Sequence, residues 1–80
     1  MREGYGIGEM AHKAGVPVAN IRYYEEIGIL PPAGRGRGGQ RRYDESDVER
    51  LRFVKNCREL GFPLKQVRSL LRLSEAEKRT

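Results

Sequence analysis

Residues 7–26 constrain the fold of this chain more than any other stretch. The first half has apolar residues at the spacing of a helix with one buried face: Ile7, Met10, Ala11 and Ala14. Gly15 suits the left-handed conformation that ends many helices, and Pro17 suits the start of the next one because it has no amide hydrogen to leave unpaired. With Ile21 as an apolar anchor six residues after Gly15, the pattern is typical of a helix-turn-helix.

The basic residues of the chain are concentrated in one place. The 80 residues carry 16 basic and 11 acidic side chains, a formal net charge of +5, and a chain of this length forms one small domain. Arg35, Arg37, Arg41 and Arg42 fall within eight positions that contain no acid. This cluster indicates a polyanionic partner, most simply nucleic acid. The alternative is that the arginines only keep the surface soluble.

The chain has none of the sequence signals of membrane insertion or secretion. No apolar run approaches the roughly 20 residues that span a bilayer, and no charged start followed by an apolar core marks a signal peptide. The single cysteine, Cys57, excludes an internal disulfide and gives no sign of an oxidising compartment. We therefore expect a cytoplasmic protein with no membrane partner.

The segment from residue 33 to residue 40, AGRGRGGQ, is too rich in glycine to contribute to a core and is predicted to be an exposed loop. The residues on either side, 30–32 and 41–43, could pair as two short antiparallel strands. The result would be a β-hairpin with a basic tip, the structure called a wing. The alternative is a linker between two domains.

Two more helices are predicted in the second half of the chain. Asp44 is a good N-cap for the third helix, and Gly61 ends it. Its buried face is predicted to consist of Val48, Leu51, Val54 and Cys57, widened by Phe53 and Leu60. Pro63 opens the fourth helix, whose apolar stripe is Leu64, Val67, Leu70 and Leu71. The capping-box spacing from Ser74 to Glu77 predicts a fresh helix there, which we expect to continue in a longer protein.

No constellation of catalytic residues is present. The sequence lacks a Ser/His/Asp set, paired carboxylates in an apolar setting and a phosphate-cradling loop before a helix. His12 lies off the apolar stripe of the first helix and is predicted to be solvated. Cys57 falls within the apolar face of the third helix, where a cysteine acts as a small hydrophobe. The sequence therefore predicts a protein that is not an enzyme and holds no metal.

Four segments carry a resemblance to a known family: IRYYE at 21–25, GILPP at 28–32, RRYDESDVERLRF at 41–53 and RELGFPLKQVRSLL at 58–71. In this order they closely resemble the DNA-binding domain of the MerR family of bacterial transcription regulators. The likeness extends over roughly residues 5–73, nearly the whole chain.

The resemblance implies a mainly α, winged helix-turn-helix fold with four helices and a short two-stranded β-hairpin wing. It assigns residues 1–73 to this domain and residues 74–80 to the start of a truncated linker or dimerisation helix. Full-length members are homodimers that distort double-stranded promoter DNA so that RNA polymerase can engage. Residues 53–73 also look like the metal-sensing branch, whose effector would bind beyond Thr80. We expect no cofactor within this chain and a monomer for these 80 residues alone.

The resemblance also implies that DNA is contacted from two regions. On the second helix, Arg22 and Tyr24 match family contact positions, and both side chains can donate to phosphate or base. The other predicted contacts are Val18, Asn20 and Tyr23 on this helix, and Arg35, Arg37, Arg41, Arg42 and Tyr43 in the wing.

Several of these residues have a second interpretation. Tyr23 could be a half-exposed packing residue, the Tyr24 ring could be buried with only its hydroxyl exposed, and Tyr43 could anchor the wing to the core. Lys65 could approach a flanking phosphate or simply be solvated. Ala19, Asn20 and Gln40 depart from the family pattern, so no operator sequence can be inferred.

Two alternative functions stay open at this point. One is an architectural DNA-bending protein similar to a phage excisionase, and the other is a protein-interaction or RNA-binding module that uses the basic wing. Footprinting would separate them: a protected palindrome within a promoter favours the regulator, protected direct repeats favour the bending protein, and no protection favours the third.

Overall fold

The computed structural model describes residues 4–31, 34–35 and 41–79, which form four helices and one pair of very short strands. In chain order the elements are α1 (Ile7–Ala14), α2 (Val18–Glu26), β1 (Gly34–Arg35), β2 (Arg41–Arg42), α3 (Glu45–Glu59) and α4 (Leu64–Arg79). The strands are antiparallel, with Gly34 opposite Arg42 and Arg35 opposite Arg41. The prediction that the first strand begins at residue 30 is wrong, since residues 30 and 31 form no strand and β1 lies within the segment predicted to be a loop. Pro31 has no amide hydrogen to donate to a paired strand. The prediction of a mainly helical fold with four helices is confirmed.

The turn between α1 and α2 forms as the sequence predicts. Gly15 caps α1 in the left-handed region at φ +69°, and its amide donates to the carbonyl oxygen of Ala11 at 2.9 Å. A side chain there would be strained by this φ and would also meet Nζ of Lys55, 3.0 Å from the position of a Cβ. Pro17 is the N-cap of α2 rather than its first helical residue, and its carbonyl oxygen accepts from the Ile21 amide at 3.2 Å.

The core lies between α1, α2 and the inner faces of α3 and α4. Its fully buried side chains include Met10, Ile21, Ile29, Leu30, Val48, Leu51, Val54 and Val67. On α3, the predicted buried face of Val48, Leu51, Val54 and Cys57 is confirmed. The prediction that Phe53 and Leu60 widen that face is wrong, since they are 37% and 78% exposed. Phe53 projects about 100° away from Val54 around the helix, and Leu60 is the C-cap residue.

A capping box begins α3. The Asp44 Oδ1 accepts from the Asp47 amide at 3.1 Å, and the Asp47 Oδ2 accepts from the Asp44 amide at 3.0 Å. The Ser46 hydroxyl, which donates to Asp44 at 2.6 Å, and the Asp47 amide lower the pKa of Asp44. Burial raises the pKa of Asp47, because it disfavours the charged carboxylate. The pKa values of the two acids in this capping box are thus shifted in opposite directions.

The fourth helix is continuous from Leu64 to Arg79, so the prediction of a fresh helix at Ser74 is wrong. The sequence contains neither glycine nor proline between these bounds, and nothing interrupts the backbone hydrogen bonds before Ser74. An ion pair between Arg50 and Glu75 also joins α3 to α4 just past that point. Among the described residues, no helix is both long and apolar enough to cross a membrane.

The end of β2 is held by Tyr5, two residues before α1. Tyr5 and Tyr43 form an antiparallel bridge, in which each amide donates to the other carbonyl at 2.6 and 2.8 Å. Gly4 adopts φ +97°, and a Cβ at this position would come within 2.4 Å of the Tyr43 carbonyl oxygen. Position 4 therefore requires glycine, because the backbone conformation and the close approach both exclude a side chain.

Candidate nucleic-acid interface

The second helix divides into a buried face and an exposed face. Ile21 and Tyr24 point into the core, and this fixes the rotation of the helix about its axis. The residues between and before them then face solvent, as helical geometry requires: Ala19, Asn20, Arg22 and Tyr23. Val18 is half-buried. The exposed face therefore carries an amide, a guanidinium and a phenol that are all accessible to a ligand.

The two adjacent tyrosines differ in exposure. Tyr23 is 49% exposed, whereas Tyr24 is buried against the core. Their ring centroids are 6.1 Å apart, with the planes inclined at 51°. Tyr24 also lines a crevice of about 290 Å³ beside the start of α2, together with Asn20. The buried Tyr24 ring agrees with the interpretation from the sequence in which only the hydroxyl of this residue is exposed.

Tyr43 does not belong to an exposed contact surface. Only 1% of the residue is accessible, and its hydroxyl donates to Oε2 of Glu25 at 2.7 Å. A side chain that is buried and already hydrogen-bonded cannot reach a ligand without leaving the core. Of the two interpretations from the sequence, the structure therefore favours the anchor over the DNA contact, and the hydrogen bond ties the end of β2 to α2.

The other predicted residues of the wing are described only in part. Arg42 is half-buried, and its Nε has no hydrogen-bond partner in the described part of the chain. For Arg35 and Arg41 the structure describes the backbone of the paired strands and not the side chains. Arg37 and Gln40 lie outside the described residues. The Tyr43–Glu25 contact nevertheless brings the base of this strand pair next to α2.

The structure adds two basic residues that the sequence interpretation did not assign. Lys55 and Arg58 on α3 line the same crevice as Asn20 and Tyr24. Arg58 donates to the Phe62 carbonyl oxygen at 2.9 Å. Their three-residue spacing puts both on one side of α3, and that spacing was the available signal. The sequence could not predict that α3 packs against the turn at Gly15, which brings these two residues next to α2.

The remaining polar candidates form no second site. Lys65 and His12 are exposed. Cys57 is a free and buried thiol within the core. Within residues 4–31, 34–35 and 41–79, no group of three or more His, Cys, Asp or Glu side chains is placed to hold a metal ion.

The fold and the exposed polar face of α2 define a small helix-turn-helix protein. The family model described as "MerR HTH family regulatory protein" matches residues 5–74. The chain belongs to this family.

Two relatives and two solved structures illustrate the relationship. The chain is 44% identical to the HTH-type transcriptional regulator ZntR homolog of Haemophilus influenzae over 72 residues, 90% of this chain and 53% of the relative. It is 47% identical to the mercuric resistance operon regulatory protein of Serratia marcescens over 73 residues, 91% of this chain and 51% of the relative. The chain thus spans about half the length of the curated relatives it matches.

Both solved structures share the fold. The transcription regulator PbrR691 from Ralstonia metallidurans CH34, in complex with lead(II), has a TM-score of 0.81 at 39% identity. The match covers 96% of this chain and 57% of the PbrR691 chain. HiNmlR, a MerR family regulator lacking the sensor domain and bound to promoter DNA, has a TM-score of 0.80 at 26% identity. That match covers 90% of this chain and 55% of the HiNmlR chain.

Proposed function

We propose that this chain is the DNA-binding part of a bacterial transcription regulator and that it recognises a specific double-stranded sequence in a promoter. The observation that carries the proposal is the exposed face of α2, which presents Asn20, Arg22 and Tyr23 on the second helix of a helix-turn-helix. Family membership and the fold shared with promoter-bound HiNmlR support it. The sequence relatives are transcription regulators and not enzymes.

In the proposed complex α2 enters the major groove. Arg22 is suited to the two acceptors of a guanine or to a phosphate, and Asn20 to an adenine edge. Tyr23 donates its hydroxyl to a phosphate oxygen, which fixes the register without reading a base. Val18, at the start of the helix, contacts a thymine methyl group. Tyr24 reaches the backbone only through its hydroxyl, since its ring packs in the core.

The strand pair acts as a wing in this proposal. Arg35, Arg37, Arg41 and Arg42 supply positive charge to the phosphate backbone or the minor groove beside α2, an interaction that releases counterions and depends strongly on salt. Tyr43 orients the wing and does not contact DNA. Lys55, Arg58 and Lys65 extend the basic surface toward flanking phosphates.

The proposed regulator acts as a homodimer on a palindromic site and distorts promoter DNA so that RNA polymerase can engage. Residues 1–73 form the DNA-binding domain, and α4 leads from residue 74 into a linker or dimerisation helix. The names of several relatives refer to heavy metals, which favours a metal ion as the effector of the complete, cytoplasmic regulator. On its own, the 80-residue chain is expected to be monomeric in sedimentation.

Selection from a randomised duplex pool, followed by footprinting on the selected site, tests the proposed function. The expected result is enrichment of a short motif and protection that covers one half of a palindrome in a bacterial promoter. Recovery of no motif, with equal retention of all duplexes, would contradict sequence-specific binding. Preferential retention of RNA would instead point to the RNA-binding alternative.

A further inference from the structure

The segment that ends α2, residues 27–29, is held by arginines from the two helices that follow it. Arg68 on α4 donates from Nη2 to the carbonyl oxygen of Ile27, the C-cap residue of α2. Arg50 on α3 donates from Nη1 to the Ile29 carbonyl oxygen at 3.3 Å. The last turn of α2 has no basic residue of its own. These arginines therefore satisfy carbonyls and offset the negative end of the helix dipole from outside α2.

The same arginines tie this segment to α4 at two points. Arg68 is itself part of α4, and Arg50 pairs through its Nη2 with Glu75 on that helix. Glu75 lies seven residues beyond Arg68, about 10 Å farther along the axis. Between segment 27–29 and α4 is a crevice of about 360 Å³, which Gly28 and Leu71 also line. The end of α2 thus contacts α4 through directional polar bonds.

We propose that Arg68 and the Arg50–Glu75 pair are positioning residues through which the orientation of α4 sets the orientation of α2. This inference rests on the proposed function, because it assigns regulation to the helix that reads DNA. A movement of α4 displaces the Arg68 guanidinium, which donates to the Ile27 carbonyl oxygen. It also displaces the Glu75 carboxylate, which orients Arg50. Since α2 is a short helix held on its buried side at Ile21, a displacement of its end turns the exposed face with Asn20 and Arg22.

The first test measures how well each variant discriminates between two duplexes. The probes are a duplex selected by the wild-type protein from a randomised pool and a scrambled duplex of the same composition. We expect Arg68→Ala to lower the ratio of the two affinities by about five-fold or more, and Arg68→Lys to restore most of it. The matched control is Arg72→Ala, which removes the same charge from α4 beside the same crevice and should weaken both affinities equally.

A second measurement requires no DNA. Backbone amide chemical shifts of residues 20–23 are expected to change in Arg68→Ala and Glu75→Gln, to recover in Arg68→Lys and to stay close to wild type in Arg72→Ala. If Arg68→Ala does not fold by circular dichroism, Glu75→Gln carries the same test. Shifts no larger than those of Arg72→Ala, or an equal loss of both affinities, would overturn the coupling. If the wild-type protein bound the selected and the scrambled duplex with equal affinity, the proposed function would be contradicted. The amide shifts would still show whether the orientations of α4 and α2 are coupled.

Discussion

The exposed face of α2 and the strand pair 34–35/41–42 place their basic residues by different means. On α2, the burial of Ile21 and Tyr24 sets the rotation of a nine-residue helix, and Arg22 and Tyr23 then point outward by helical geometry alone. The strands have two residues each, far too few to be stable by themselves. Their position depends on Tyr43, which bridges to Tyr5 and donates to Glu25 on α2.

This structural difference predicts different roles in DNA binding for α2 and for the strand pair. A helix anchored by a core holds its side chains in one geometry, which base recognition requires. A short strand pair anchored at one end can deliver charge to a phosphate backbone, where precise geometry matters less. Base specificity is therefore expected from α2, and sequence-independent affinity from the strand pair.

The largest expected effect concerns the anchor of α2. Replacing the fully buried Ile21 by alanine should lower the free energy of unfolding by about 2–5 kcal/mol, because it removes methyl groups and leaves a cavity. Tyr23→Ala, on the exposed face, is the matched control and should change stability by less than about 0.5 kcal/mol. Urea unfolding followed by circular dichroism measures both. Similar losses for the two variants would mean that the rotation of α2 is not set by its core contacts.

The next effect separates the two regions by their DNA binding. Arg22→Ala should cost about 1–3 kcal/mol with the selected duplex and much less with a scrambled one. Arg35→Ala or Arg41→Ala should weaken binding to both duplexes and reduce the salt dependence by about one unit of logarithmic slope. Fluorescence anisotropy at several salt concentrations measures these quantities. If Arg22→Ala weakened both duplexes equally, base reading would not belong to α2.

A third prediction concerns the contact that joins the regions. Tyr43→Phe removes the hydroxyl that donates to Glu25 and should cost about 1–2 kcal/mol of stability, as expected for a partly buried hydrogen bond to a charged group. Glu25→Gln changes the acceptor of the same bond, and Glu26→Gln on the exposed side of α2 is the control. In a double-mutant cycle the Tyr43 and Glu25 changes should be non-additive. Strict additivity would show that the bond between Tyr43 and Glu25 contributes no coupling between the strand pair and α2.

The smallest effect concerns Asp44, which directly follows Tyr43 and caps α3. Asp44→Ala should cost about 1 kcal/mol. Since the folded pKa of Asp44 is lowered, its charge stabilises the fold fully above the ordinary aspartate pKa, and this contribution is lost as the pH falls through the folded value. The pKa of Asp47 is raised by burial and, to a smaller extent, by the neighbouring Asp44 carboxylate. Asp47 therefore acts in the opposite direction, and Asp44→Asn removes the part of this effect that comes from the Asp44 charge.

Thermal unfolding of wild type and Asp44→Asn at a series of pH values measures the effect of the Asp44 charge, including its effect on Asp47, because asparagine keeps the capping oxygen. Their difference in stability should shrink steadily as the pH drops below the ordinary aspartate range. A difference that is independent of pH would show that the cap acts through its hydrogen bond alone.

What the sequence determined by itself is local. Gly15 at the turn, Asp44 at the cap, and the stripe from Val48 to Cys57 all follow from backbone conformations and periodicities that neighbouring residues encode. The outward face of α2 follows in the same way from the apolar positions of Ile21 and Tyr24. These features are enough to indicate a helix-turn-helix and its exposed polar residues.

Only the tertiary structure decided which distant residues meet. The exposure of Phe53, the continuity of α4 past Ser74, the burial of Tyr43 against Glu25 and the Arg68 bond to Ile27 depend on how the helices cross. Crossing angles arise from the packing of whole surfaces, and no short window of sequence contains both partners. For this reason the exposed polar face of α2 could be identified from sequence, whereas the groups that hold this helix in place could not.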